Sequence, residues 1–249
     1  MAGASSEQRL SHIQTYWTVI CTAHEGEGEA AGAAQRQLLQ RYRKAIQRYL
    51  LGALRDPEAA EELTQEFALR FLTGGFRRAD PERGRFRDFV KGVLFHLVAD
   101  YHRRKQRQPQ RLPEEGMELA DSDARPTEAE REFLESWRAE LLDRTWKALA
   151  ELQNQTGQPF FTVLRLRAEQ TDLRSAQMAE QLRGPLGKAV TADWVRQTLH
   201  RARDRFAELL VDEVTQTLRS PTRAELEQEL SDLHLLDYCK PALDRFGTK

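Results

Sequence analysis

An all-α fold is what this 249-residue chain predicts, from three observations. Apolar residues recur at three- and four-residue spacing along most of its length, as on one face of a helix. Strand signals are sparse: Val, Ile and Thr rarely alternate with polar residues, no Asn-Gly hairpin occurs, and there are only 14 Gly. Capping residues and prolines punctuate the periodic stretches. With 40% hydrophobic and 31% charged residues, real cores are available and global disorder is excluded. The expected arrangement is two small helical domains joined by a flexible acidic linker, the second containing a helix-turn-helix.

Taken in order, Leu38, Tyr42, Ile46, Tyr49 and Leu50 mark the first helix, ending near Leu54. Asp56 then caps a second helix, with Pro57 suited to its first position and acidic residues following at the positive end of the dipole. Its stripe is Ala59, Leu63, Phe67 and Phe71, and Thr73-Gly74-Gly75 stops it. A basic loop leads to a third helix from Phe86 to His102, with Phe89, Val93 and Leu97 on one row and Val90 and Leu94 beside it. Phe76 to Arg111 holds eleven Lys/Arg against four Asp/Glu, a local charge of +7.

The sign then reverses. Leu112 to Asp143 holds eleven acidic residues and three arginines, a local charge of −8, and Pro113, Gly116 and Pro126 interrupt its start. This reads as a tether, with segments at 1–34, 35–107, 108–129 (the linker), 130–219 and 220–249. Helical signal resumes with Phe133, Trp137, Leu141, Trp146 and Leu149. A break falls at Asn154 to Pro159, a helix at Phe160 to Arg167, and a turn at Thr171 to Arg174. Ser175 to Leu182 is a short helix with Met178, Ala179 and Leu182 inward; Gly184 to Gly187 breaks it, and Thr191 caps a helix running to about Leu218. Beyond Ser220, Leu226, Leu230, Leu233 and Leu236 form an amphipathic helix closed by Cys239-Lys240-Pro241. Packing back on the protein is one expectation for this extension, and a partner-binding tail is the other.

Several function classes drop out. No run approaches the roughly 18 apolar residues of a membrane span, and Met1 to Gln8 lacks the basic-then-apolar pattern of a secretory signal. Cys21 and Cys239 have no paired spacing, so a reducing cytoplasm is expected rather than a disulfide or zinc scaffold. Gly187-Lys188 is not a phosphate loop: Leu182 stands where the first glycine belongs and Ala189 where Ser/Thr belongs. His96 and His102 have no ligands at metal spacing. No catalytic residue, metal or cofactor is expected.

Two constellations remain. On the last long helix, Val195, Leu199, Ala202 and Phe206 share the inward face, while Arg196, Gln197, His200, Arg201 and Asp204 lie opposite, flanked by Arg203 and Arg205. Arg183 to Arg205 carries six Lys/Arg and two acids, a local charge of +4. A short helix, a break and a helix with donors in its N-terminal half is the helix-turn-helix pattern, able to read base edges and hold phosphates. A solvated basic face is the plainer alternative. In the 76–111 unit, arginines interleave with Phe76, Phe86, Phe95 and Tyr101, which suits phosphate holding and base stacking. Phe86, Phe89, Val93 and Leu97 also suit a core.

Both constellations resemble one family. Glu62 to Phe67, with Asp56 upstream, resembles the Asp-Leu-x-Gln-Glu-x-Phe segment of bacterial RNA polymerase sigma factors. Phe86 to Arg104 resembles the family's Phe-Arg-x-Trp-Leu…Asn…Asp-x-x-Arg-Arg stretch, and Val195 to Arg203 the end of its helix-turn-helix, Val-Lys-Ser-Arg-Leu-His-Arg-Ala-Arg. The two-domain form looks like the extracytoplasmic-function (ECF) subgroup. The resemblance implies that Leu63, Gln65, Glu66 and Phe67 bind core RNA polymerase. It implies that Arg77, Arg78, Arg83, Arg85, His96, Arg103 and Arg104 meet the promoter −10 element. For the −35 element it implies Thr191, Arg196, Gln197, His200, Arg201 and Arg203. The acidic linker would enter the polymerase's basic channels, and an anti-sigma factor or other regulator is a further partner the resemblance allows. His96 stands where the family usually has Asn and Phe89 where it has Trp, and about six extra residues between Leu182 and Val195 imply an extended turn. The competing functions are a free-standing helix-turn-helix regulator and a helical scaffold that titrates other regulators without touching DNA.

Overall fold

The computed structural model describes residues 29–73, 85–107, 126–218 and 221–246, and the helices within them are α1 (Glu29–Leu54), α2 (Pro57–Leu72), α3 (Phe86–Arg107), α4 (Pro126–Thr156), α5 (Phe160–Glu169), α6 (Ser175–Leu186), α7 (Ala192–Gln216), α8 (Arg223–Asp232) and α9 (Leu236–Phe246). No strand occurs among the described residues, so the all-α expectation holds. The chain divides into two units, one spanning up to Glu140 with a short return at Gln216, the other comprising Leu141–Thr215 and the segment from Pro221. The division therefore falls inside α4, whereas the sequence placed it at 108–129. Residues 108–125 of that expected linker lie outside the described part, and 126–129 are helical. Pro126 suits a first helical position and Glu128 favours the dipole there, so local chemistry starts the helix despite the acidic density.

In the first unit, Arg55 at φ 52° ends α1, and Asp56 caps α2 by accepting from the Glu58 and Ala59 backbone N–H groups at 3.0 and 3.1 Å. Tyr42, Ile46, Tyr49 and Leu50 of α1 meet Leu63, Phe67 and Phe71 of α2, all buried; the side chain of Leu38 lies outside the described part. On α3 the deepest row is Phe86, Val90, Leu94 and Leu97, while Phe89 and Val93 are half-buried. The expected row was thus turned by one position. The first half of α4 selects the buried face: Trp137 lies flat on Tyr42 (centroids 4.6 Å, 8° between planes) and also meets Phe86, while Phe133 stands edge-on to Tyr49. Each such apolar side chain contributes about 1.5–3 kcal/mol by leaving water. Lys91 on Glu130 (3.1 Å) and Arg48 on the Ser136 carbonyl (3.1 Å) fix the α4 segment further.

The second unit is built around α7, whose inward face is Val195, Leu199, Ala202, Phe206, Leu210, Val211 and Val214, all buried. Trp146 of α4 packs on Phe206 (4.8 Å) and edge-on to Phe161 of α5 (6.0 Å). Gly157, at φ 70°, ends α4. Gln153 then reaches forward to accept the Thr162 N–H at 2.9 Å, satisfying an orphan donor of α5 that Pro159 cannot cap. Met178, Ala179 and Leu182 of α6 are buried as expected. The extension past residue 220 packs into this unit through Leu226, Leu230, Leu233, Cys239, Ala242 and Leu243. It is two helices rather than one: His234, at φ 55°, turns the chain, and Pro241 lies inside α9 instead of closing a helix. An interior proline costs about 3 kcal/mol. Burial of Cys239, Ala242 and Leu243 offsets that cost.

Candidate nucleic-acid interface

On α2 the proposed contact residues separate by depth. Leu63 and Phe67 are 0% and 3% exposed. Both lie in the core of the first unit, where α2 packs against α1 and α3. Gln65 is exposed and donates to Glu61 at 3.2 Å; Glu66 is half-buried and pairs with Arg70 and, at 3.3 Å, with Arg104 at the end of α3. Sequence reading missed Leu69 and Leu72, which are 62% and 41% exposed on this helix. The available signal was spacing, since Leu69 follows Gln65 by one turn, but Leu in a helix is ordinarily counted as core.

On α3, His96 and Arg103 are exposed, and the His96 Nδ1 donates to the Gly92 carbonyl at 2.7 Å. Arg103 pairs with Asp100 one turn back. Arg104 is exposed, and Arg85 is half-buried at the helix start. Arg77, Arg78 and Arg83, with Phe76, lie outside the described residues. Of the interleaved aromatics, Phe86 is 2% exposed and so offers no face to a base, while Phe95 is half-buried and stacks on Tyr49 at 5.9 Å. Tyr101 is half-buried, with the Lys105 ammonium 5.8 Å from its ring. Arg87, counted in the basic total, is buried. The basic surface of α3 is therefore its C-terminal end, Arg103 to Arg107, where cations also suit the helix dipole.

In the second unit, α6 runs on through Gly184 and Pro185 to Leu186, and Gly187 in the left-handed conformation (φ 60°) closes it. Only 187–191 is non-helical, so the extension expected over 184–190 is taken up mostly by helix. A proline in the last turn forfeits a single backbone bond, which explains why it does not break α6. Val190 is buried, and Lys188 lies 4.6 Å from the Trp194 ring, pinning the turn to α7. Thr191 acts as a cap: its Oγ1 accepts from the Trp194 N–H at 3.2 Å. Thr191, Arg196, Gln197, His200, Arg201 and Arg203 are all exposed on one unit. Arg196 pairs with Asp193, and His200 Nδ1 lies 3.2 Å from Asp204. Exposed pairs of this kind are worth about 0.2–1 kcal/mol. Phosphate or a base edge can displace them at small cost.

Among the described residues no group of His, Cys, Asp or Glu could hold a metal ion. Among them, too, no helix is long and apolar enough to cross a membrane. Neither the curated proteins nor the solved structures contain a match to this chain. Residues 38–108 match the family model sigma-70 region 2, a stretch that takes in α2, α3 and most of α1.

Proposed function

We propose that the chain is an ECF-type sigma factor that binds core RNA polymerase and directs initiation at promoters with distinct −35 and −10 elements. The observation that carries this reading is the sigma-70 region 2 match on residues 38–108, coupled with a second helical unit that exposes Arg196, Gln197, His200, Arg201 and Arg203. On α2, Gln65 and Glu66, with Leu69 beside them, meet the polymerase. At α3, His96, Arg103 and Arg104, joined by the basic residues of the preceding segment, hold the −10 element. The α6–turn–α7 segment serves as a helix-turn-helix, with α7 in the major groove of the −35 duplex. The polymerase supplies the chemistry, and the chain works where that enzyme works, in the cytoplasm.

Adding the chain to bacterial core polymerase should yield start sites that core alone does not use. The absence of both a complex with core and any promoter-dependent transcript would defeat the reading. Tight binding to a duplex operator by a chain that never binds core would instead identify a free-standing regulator.

A further inference from the structure

The C-terminal pair α8–α9 packs against the outer half of α7, the stretch that follows the exposed donors. Tyr238 stands edge-on to Phe206 at 6.0 Å, and its hydroxyl donates to the Arg203 carbonyl at 3.4 Å. Arg223, at the start of α8, grips the end of α9 by pairing with Asp244 at 2.7 Å and donating to the Leu243 carbonyl at 3.4 Å. The next residue, Arg245, reaches α7 itself: one guanidinium nitrogen lies 3.4 Å from Asp204 Oδ2 and the other 3.7 Å from Glu208. That same Oδ2 of Asp204 lies 3.2 Å from His200 Nδ1. His200, Asp204 and Glu208 follow one another at four-residue spacing, so they form one row on the helix surface. Arg245 sits over the far end of the row, and His200 occupies the near end with 78% of its side chain exposed.

We infer that Arg245 is a specificity-positioning residue for the DNA-reading helix, acting through Asp204 to orient the ring of His200. Asp204 alone could swing between side-chain rotamers and carry the imidazole with it. Held by Arg245, its carboxylate has one placement, and the imidazole is tethered through Nδ1. The other ring nitrogen, Nε2, is then the one left for a base edge. A segment remote from the DNA thereby sharpens the reading of one base pair, as supporting groups do when they lock a functional side chain. The inference rests on the proposed −35 role of α7.

The test uses the full chain with core polymerase on a set of −35 duplex variants, with His200→Ala locating the position that His200 reads. Arg245→Ala should reduce discrimination at that position by roughly two- to five-fold, the worth of an exposed ion pair. It should leave affinity for unrelated duplex and the melting temperature nearly unchanged. Arg245→Lys should restore part of the discrimination, because an ammonium can still reach Asp204. In a His200→Ala background, Arg245→Ala should have no further effect on base preference. Affinity lost evenly over all sequences, or an equal loss of preference in both backgrounds, would overturn the inference by making Arg245 a phosphate contact or a simple brace. Absence of any −35 preference in the unaltered chain would instead overturn the role proposed for the second unit.

Discussion

Asp212 sits on the half-buried side of α7, and burial lifts its carboxyl from an ordinary value of 3.8 to about 6, Arg205 opposing the rise and Glu208 and Glu213 adding to it. A carboxyl with a raised folded-state value binds its proton more tightly when folded. Its contribution to stability is thus fullest below the unfolded value and is lost as pH rises through about 6. Asp212→Asn should stabilise the chain by about 1–2 kcal/mol near neutral pH, with the gain shrinking toward zero below about pH 4, read by melting across that range. The depth difference on α2 makes a second residue-scale prediction. Leu63→Ala should cost about 2–5 kcal/mol of stability by opening a cavity. Gln65→Ala should leave melting within about 0.5 kcal/mol while weakening the complex with core polymerase.

Helices whose ends are set by local chemistry were legible in advance. Asp56 and Pro57 start α2 because capping needs only the next three residues, and Gly157 and the Asn154 to Pro159 stretch end α4 for the same reason. The α7 faces were also legible, since one helix has one apolar stripe and the donors occupy the remainder. What could not be read was which of two adjacent apolar rows on one helix turns inward. On α3, Trp137 from a distant segment covers Phe86 and leaves Phe89 half-exposed, and no spacing within α3 reports that partner. Leu63 and Phe67 illustrate the same limit, because a motif shared for binding and a motif shared for packing look alike in a string of residues. At the scale of α7, Arg196→Ala should weaken −35 binding by about 1–3 kcal/mol at a single base pair if its fork reads an edge. Binding measured over duplex variants separates that outcome from an even loss at every sequence, which would mark a phosphate contact.

Across the whole molecule, a formal charge of −1 is the residue of strongly opposed segments, +7 at 76–111, −8 at 112–143 and +4 at 183–205. Part of that segregation is structural: Arg87 is buried, and Lys91 spends its charge on Glu130 of the acidic run. The acidic segment therefore is not only a tether, because its C-terminal part delivers Phe133 and Trp137 to the first unit. Trp137→Ala should destabilise that unit by about 3–5 kcal/mol, although it lies beyond the linker position the sequence suggested; denaturant melts of the full chain would show it.

Cys239, on α9, is 0% exposed, and burial raises its thiol to about 12. Neither access nor thiolate is available to a reagent while α8 and α9 are seated. In a Cys21→Ser chain, the rate of alkylation at Cys239 therefore becomes a clock for the lifting of this pair, independent of DNA and polymerase. Labelling should be slow in the native chain and should accelerate several-fold in Arg223→Ala, which loses the clasp on Asp244. The same thiol would then record, molecule by molecule, how often the helix proposed to read the promoter is left unsupported.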